Sequence, residues 1–238
     1  MGSLLRAWAP ALAVLLGGCA APTTTVQVGD RGSLIPGARL SIPLSTQRLP
    51  PSQPQDGVAL EIGLASMNGH DTQALGATQP PIVIGNQTFN GPLTLRYDFE
   101  YTHLDLRWRF RGFFGNDKRF GLEGLVGFGF ANFGIDAFAP GQRGSKNEHS
   151  WGFSAGVGAL YKILPSTNVQ ARVDGYSGGK NIFDNITATR IEVGLVQALG
   201  QHAAVRAGYA SWDIKIEPGG SDIRARFSGP VLGLDVMF

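Results

Sequence analysis

Residues 93–110 read LTLRYDFEYTHLDLRWRF, and this stretch decides the fold. Apolar or aromatic side chains fill every second position, first at odd numbers up to Tyr101 and then at even numbers from Leu104 to Phe110. Alternation with a period of two is the signature of a β-strand with two different faces. The change of phase near Thr102 and His103 predicts a β-bulge inside one long strand.

Seven further stretches alternate in the same way, at 58–64, 120–130, 151–161, 169–173, 191–195, 205–216 and 230–238. A second change of phase is expected before Trp212. The connections after strands two, four and six are short (112–118, 164–168 and 200–202), whereas those after strands one, three, five and seven are longer (68–92, 136–147, 177–185 and 217–222). Short turns at one end and longer loops at the other are typical of transmembrane barrels.

The pattern therefore predicts an all-β fold, an eight-stranded antiparallel up-and-down transmembrane β-barrel over residues 56–238. Its short turns would be periplasmic and its longer loops extracellular. An even number of strands places both ends of the barrel at the periplasmic side.

The positions opposite the apolar set carry charge, and in a membrane they point into the lumen. The barrel would be narrow enough for side chains to fill it, so opposite charges must pair and no open pore remains. Acids and arginines are nearly balanced, as pairing requires. The predicted lumen charge network consists of Glu61, Asp105, Arg107, Arg109, Glu123, Arg172, Asp174, Arg190, Glu192, Arg206 and Asp235.

The amino-terminal residues have the form of a targeting segment. Arg6 precedes an apolar run that ends in Leu16-Gly17-Gly18-Cys19, and this run is too short to span a bilayer as a helix. We interpret residues 1–18 as a lipoprotein signal peptide and Cys19, the only cysteine, as the acylated first residue of the mature chain, carrying for example palmitate. The alternative is an ordinary signal peptide with a coincidental cysteine.

Residues 19–55 are rich in Pro, Thr and Ser, a composition that buries little apolar surface and interrupts strand pairing. We expect a lipidated periplasmic tether with one short strand over 38–42.

The composition excludes several classes of function. Net charge is +2 and no basic field indicates nucleic acid, while a single cysteine and four scattered histidines give no zinc pattern. No cofactor is expected.

Aromatic residues are expected to form two belts at the membrane interfaces. The periplasmic belt would hold Phe110, Phe120, Tyr161 and Phe238, and the outer belt would hold Tyr97, Phe99, Phe130, Trp151, Phe153 and Trp212.

The chain resembles the small eight-stranded outer-membrane barrels of the OmpA and OmpX type, as an architecture over residues 56–238. Its most specific feature is the last strand, in which Leu232, Leu234 and Val236 precede a terminal Phe238. The resemblance implies that these residues form the signal read by the outer-membrane barrel assembly machinery. Members of this group normally lack a lipidated cysteine, so Cys19 departs from their pattern.

Some barrels of this size modify lipid A, so an enzyme of the deacylase or acyltransferase class is one alternative. The candidate residues are Glu148-His149-Ser150, His103 with Asp105, and His70 with Asp71. Neighbouring residues of a strand point to opposite faces, so Glu148, His149 and Ser150 cannot form a triad by themselves. A lipid-tethered, lipocalin-like binding barrel is a further alternative.

The sequence thus predicts a monomeric, lipid-anchored and integral outer-membrane barrel with a structural or surface-interaction role and no assigned catalytic residues. Its role would be envelope integrity, adhesion or partner binding through the extracellular loops. Its partners would be outer-membrane lipids and lipopolysaccharide, whose phosphates Arg224 and Arg226 are placed to contact.

Overall fold

The computed structural model describes residues 25–44, 57–181, 184–200, 202–217 and 222–237, and every regular element in them is a β-strand. The strands are β1 (Val26–Arg31), β2 (Ile35–Pro43), β3 (Gly57–Leu75), β4 (Ile82–Ile84), β5 (Gln87–Phe89), β6 (Leu93–Phe114), β7 (Phe120–Ala139), β8 (Gln142–Leu164), β9 (Thr167–Asn181), β10 (Asp184–Ala198), β11 (Ala203–Glu217) and β12 (Ile223–Met237). These residues include no helix long and apolar enough to cross a membrane.

The large sheet closes on itself. Neighbouring strands from β6 to β12 pair in sequence order and antiparallel, and β6 also pairs with β3. The ring is completed by β2, which lies antiparallel to β3 and parallel to β12. Strands β3 and β6–β12 correspond to the eight predicted strands, so the predicted count omitted one member of the ring, β2.

The omission has a physical reason. The outward face of β2 carries Ala38, Leu40 and Ile42, while Arg39 and Ser41 point inward and are buried. This alternation is short and lies between Pro36 and Pro43, so it indicated only an isolated strand. The short strand expected over 38–42 is present as part of β2, but it belongs to the barrel sheet, and so does β1 over residues 26–31; the prediction of a tether is wrong for both segments.

Strand β1 continues the line of β2 along β12, parallel to it, with Val26 opposite Ile223 and Asp30 opposite Phe227. No strand ladder joins β1 to β3; instead, the backbone N–H of Gly29 donates a hydrogen bond to Asp71 Oδ2 at 3.0 Å. Because β1 and β2 run in the direction of β12, the first described residues lie at the opposite end of the ring from the end of β12. The prediction that both ends share one side is corrected accordingly. Cys19 and the predicted signal peptide lie outside the described residues.

The two predicted changes of phase are absent. In β6, odd-numbered side chains are buried without interruption from Leu95 to Arg109, and the register with both neighbouring strands is unbroken there. In β11, Trp212, Ile214 and Ile216 continue the buried face of Arg206. The predicted bulge is therefore wrong. The same alternate positions stay buried along the whole strand, and only the chemical character of the side chains on the two faces changes.

This change of chemistry divides the ring into two zones. In the first, which we call the band, outward side chains are mainly apolar and inward ones mainly charged, polar or glycine. The band comprises 36–42, 58–64, 104–110, 120–130, 151–161, 169–173, 191–195, 205–209 and 230–236. In the second, the collar, outward side chains are mainly polar and inward ones mainly apolar; it comprises 26–31, 66–75, 93–102, 132–139, 142–149, 175–181, 184–189, 211–217 and 223–228.

Most of the predicted long loops are strands of the collar. The predicted loop 136–147 consists of the ends of β7 and β8, joined by a turn at Pro140 and Gly141. The predicted loop 68–92 begins with the last part of β3 and then holds the β4–β5 hairpin. At the other end of the ring the described connections are short, as predicted, and β8 and β9 are separated by two residues only.

Candidate functional site

The outward face of the band is a continuous apolar surface. Leu64, Leu104, Phe130 and Trp151 stand opposite one another on four neighbouring strands and form its upper row. The apolar stretch of β7, Phe120 to Phe130, is about 11 residues long, and a strand of that length inclined by about 40° spans about 25 Å. That height matches the hydrocarbon layer of an outer membrane.

The surface changes one step above this row. The next outward row consists of Ser66, Thr102, Asn132 and His149, again opposite one another. All four are polar, and Ser66 and His149 are exposed. On these four neighbouring strands the outer surface changes from apolar to polar at the same register, as expected where a barrel wall leaves the hydrocarbon layer of a membrane.

The inward face of the band holds ion pairs at its centre. Glu61 is fully buried and accepts hydrogen bonds from three guanidinium groups. Arg107 Nη2 lies 3.0 Å from Oε1, Arg109 Nη1 3.3 Å from Oε2, and the two terminal nitrogens of Arg172 2.9 and 3.1 Å from Oε1 and Oε2. This carboxylate joins strands β3, β6 and β9 across the lumen.

Two more carboxylates extend the cluster sideways. Asp174 accepts from Arg107 at 2.7 Å and from Arg190 at 2.7 and 2.9 Å. Glu123 accepts from Arg172 and, at 2.8 Å, from Arg111. Each of the two carboxylates therefore joins arginines of different strands.

A third group of ion pairs surrounds Glu192. Its carboxylate accepts from Arg39 at 2.9 and 3.0 Å and from Arg206 at 2.6 Å, and Arg206 also reaches Asp235 at 3.5 Å. Gln170 joins this group to the rest, since it accepts from Arg39 and donates to Glu123 at 2.7 Å. The network thus runs across the whole lumen of the band.

The structure places all the predicted lumen residues on this inward face. The remaining one, Asp105, lies 3.7 Å from Arg107 and 3.3 Å from His103 Nε2. Sequence reasoning missed two arginines of the network, Arg39 and Arg111. Arg39 was assigned to the tether, and Arg111 lies one step beyond the predicted end of its strand; its odd number, shared with Arg107 and Arg109, was the available signal.

A small cavity lies where the charged and apolar interiors meet. It is about 10 Å³ in volume and is lined by His103, Asp105, Ser154, Trp212 and their neighbours. Each of these four side chains has a buried polar atom without a hydrogen-bond partner among the described residues. A cavity of this size holds about one water molecule. Histidine, aspartate and serine therefore meet here in a space that admits no lipid substrate.

The collar is filled by a hydrophobic core. Tyr97, Phe99, Tyr101 and Trp212 point inward and are almost completely buried, and Phe99 packs edge-on against Phe227 with ring centroids 5.2 Å apart. The predicted outer aromatic belt is therefore wrong for Tyr97, Phe99 and Trp212, which belong to this core. Phe130, Trp151 and Phe153 face outward as predicted.

The β4–β5 hairpin covers part of this core. Ile82, Ile84 and Phe89 have no exposed surface. At its turn, Gly85 has a positive φ of 59°, and a Cβ there would lie 2.2 Å from the carbonyl oxygen of Ser145. The close approach to β8 thus requires glycine, and the hairpin helps to close the collar end of the ring.

The structure separates the residues considered for catalysis. His149 points outward and is exposed, whereas Ser150 points inward, where its Oγ lies 2.8 Å from the hydroxyl of Tyr176. Glu148 pairs with Lys146 at 3.1 Å. His70 is exposed on the outer face of β3, and Asp71 is bound to Gly29.

Charged side chains also decorate the outer face of the collar. Asp213 accepts hydrogen bonds from Arg224 at 2.7 Å and from Arg226 at 3.1 Å. These bonds, chiefly that from Arg224, lower the pKa of the Asp213 carboxyl below its ordinary value. Two arginines share one carboxylate, so this patch keeps an excess of positive charge. In the described residues, no group of three or more His, Cys, Asp or Glu side chains could hold a metal ion.

Comparison with known families finds a match over more than half of the chain. The family model described as "outer membrane protein beta-barrel domain" matches residues 53–198. No curated protein and no solved structure matches the chain.

Proposed function

Because this chain belongs to the outer membrane protein beta-barrel domain family, we propose that it is a closed, non-conducting barrel of the bacterial outer membrane with a structural or surface-interaction role. The observation that carries the proposal is the change of the outer surface from apolar to polar, which occurs at the same register on the four neighbouring strands β3, β6, β7 and β8. Below this boundary the outer face of the wall is apolar and can contact lipid, and above it the outer face is mainly polar and can contact water.

The interior supports the absence of a pore. A permeant solute would have to displace the ion pairs of Glu61, Glu123 and Glu192 and then the aromatic core of the collar. Both barriers consist of buried side chains. We therefore expect purified protein in planar bilayers to show no steady conductance, whereas stable open steps of porin size would contradict the proposal.

The collar supports a role at the surface. Its strands β3, β6, β7 and β8 are hydrogen-bonded to one another almost to their tips, so this part of the collar projects above the membrane as a stiff wall that can present a fixed surface to a partner. We propose that Arg224 and Arg226 contact lipopolysaccharide phosphates, because they lie above the band and share one carboxylate. Replacing both by Gln should reduce the lipopolysaccharide that co-purifies with the barrel, and an unchanged amount would remove the basis for this contact.

We also propose that Cys19 is acylated and that this lipid attaches the chain to the membrane in addition to the barrel itself. Residues 232–238 would direct assembly of a monomeric barrel by the outer-membrane machinery. The Leu16-Gly17-Gly18-Cys19 sequence supports the acylation. A Cys19→Ser variant extracted with carbonate should remain in the membrane, since the band of the barrel holds it there. Complete release would instead favour a tethered soluble barrel.

An enzyme acting on lipid A is the rival proposal, and no arrangement of described side chains favours it. Mass spectrometry of lipid A from cells with and without the gene separates the two. Identical lipid A is expected from both strains.

A further inference from the structure

The direction of β1 determines on which side of the membrane the amino-terminal part of the chain leaves the barrel. Val26 is opposite Ile223 at the collar end of β12, and its backbone N–H donates to the carbonyl oxygen of Asp222 at 2.8 Å. From there the chain runs through Arg31 and down β2 to Pro43, opposite Ala59. Thr25 is exposed at the collar end.

The pairing that fixes this direction is extensive. Six consecutive residues of β1 pair with Ile223–Ser228, and seven of β2 pair with Val231–Met237. Side chains anchor both strands, since Val26 and Val28 are buried in the collar core and Arg39 is buried against Glu192. Reversing the exit side would require the loss of both ladders and of this ion pair.

We propose that the chain preceding Thr25 leaves the barrel at the cell exterior, so that an acyl group on Cys19 inserts into the outer leaflet and not the periplasmic one. This inference rests on the proposed orientation of the barrel, with its short turns in the periplasm, and on the proposed acylation. The direction of β1 itself depends on neither.

Distances decide between the two leaflets. From Ile223 to Pro230, the upper edge of the band on β12, the rise is about 18 Å for seven residues inclined by about 40°. Cys19 is seven residues from Val26, and a fully extended chain of that length reaches about 25 Å. The outer leaflet is therefore within reach along the outside of the collar.

The periplasmic leaflet is not within reach. It lies beyond a further band height of about 25 Å, so the total descent from Val26 is about 43 Å. A route through the lumen is closed as well, because Ile35, Phe227 and Val231 are buried in the hydrophobic core and the ion pairs fill the band. An acylated Cys19 would thus fasten the amino-terminal part of the chain to the surface from which the collar projects.

The test is labelling of intact cells with a membrane-impermeant maleimide, using single added cysteines. Thr25→Cys is the test variant. Gln142→Cys, at the collar tip, and Asn116→Cys, in the turn between β6 and β7, are matched controls, because both residues are exposed. Each is made with Cys19 retained and again with Cys19→Ser, and the heat-dependent gel shift confirms that each variant has folded.

We expect Thr25→Cys to be labelled on intact cells as strongly as Gln142→Cys, while Asn116→Cys is labelled only after permeabilisation. If Thr25→Cys, like Asn116→Cys, is labelled only after permeabilisation while Gln142→Cys is labelled on intact cells, the inference is overturned and the proposed barrel orientation still holds. If Asn116→Cys is the variant labelled on intact cells and Gln142→Cys is not, the proposed orientation itself is wrong, and the exterior assignment is lost with it.

Discussion

Replacing Glu61 is the most direct test of the charged interior. The side chain is fully buried and accepts from Arg107, Arg109 and Arg172. The lumen network contains six carboxylates and seven guanidinium groups, so it already carries one excess positive charge. Glu61→Gln preserves the shape of the side chain but raises that excess to two.

The expected cost is large. Removing one partner of a buried ion pair typically costs about 3–5 kcal/mol, since the other charge stays buried and unpaired. A loss of about 4 kcal/mol lowers the folding equilibrium constant by about a thousandfold. The measurement is urea unfolding of the barrel from lipid vesicles, followed by tryptophan fluorescence and by the heat-dependent gel shift.

Glu100→Gln is the matched control, because Glu100 is exposed on the outer face of the collar. It should change the free energy of unfolding by less than about 0.5 kcal/mol. Arg109 offers a second check, as its described partners are Glu61 and Ser41. Arg109→Gln should cost less in the Glu61→Gln background than in the natural protein. Equal effects of Glu61→Gln and Glu100→Gln would refute the reasoning.

Three further predictions address the band, the hairpin and the collar surface. Val126→Arg, near the middle of the band on β7, should destabilise the barrel by about 2–4 kcal/mol in urea unfolding from vesicles, whereas Glu100→Arg on the outer face of the collar should cost far less; similar costs would contradict the membrane boundary. Ile84→Ala should lower the free energy of unfolding by about 2–5 kcal/mol, because the side chain is fully buried, and a neutral result would show that the hairpin does not pack. Asp213 should titrate below its ordinary pKa in an NMR pH series. Its contribution to the stability of the barrel is therefore present above the ordinary pKa and is lost as the pH falls through the lowered pKa. Arg224→Ala should raise the pKa of Asp213 towards its ordinary value, and an unchanged pKa would exclude the ion pair as the cause.

The sequence predicted the strands of the band well, because each residue there has one of two contrasting environments. Lipid outside and ion pairs inside impose strict alternation, which is visible from Leu104 to Phe110 without any knowledge of the neighbours. The expectation of a membrane outside the wall assigned the charged positions to the lumen, and the structure places Arg107 and Arg109 inward.

Alternation was misinterpreted where the surroundings reverse. From Leu95 to Tyr101 the apolar residues point inward, because water bathes the outside of the collar and the core fills its inside. A pattern of period two identifies two faces but does not say which is buried. The prediction assumed that the same solvent surrounds the whole strand, and the reversal was therefore interpreted as a β-bulge near His103. For the same reason the strand ends 136–139 and 142–147 were predicted to be a loop.

The ninth strand was hidden for a different reason. Ring closure by β2 depends on its pairing with β12 and with β3. Strand β12 is distant from β2 in sequence, and a proline-rich stretch separates β2 from β3. Local alternation of Ala38, Leu40 and Ile42 cannot specify a parallel partner, because that pairing is fixed by register and by the ion pair of Arg39 with Glu192. Adding β2 makes the number of ring strands odd, and β1 places Thr25 beside the start of β12, at the other end of the ring from the end of β12. The side on which a lipid on Cys19 can act therefore depends on one strand whose sequence signal is the weakest in the ring.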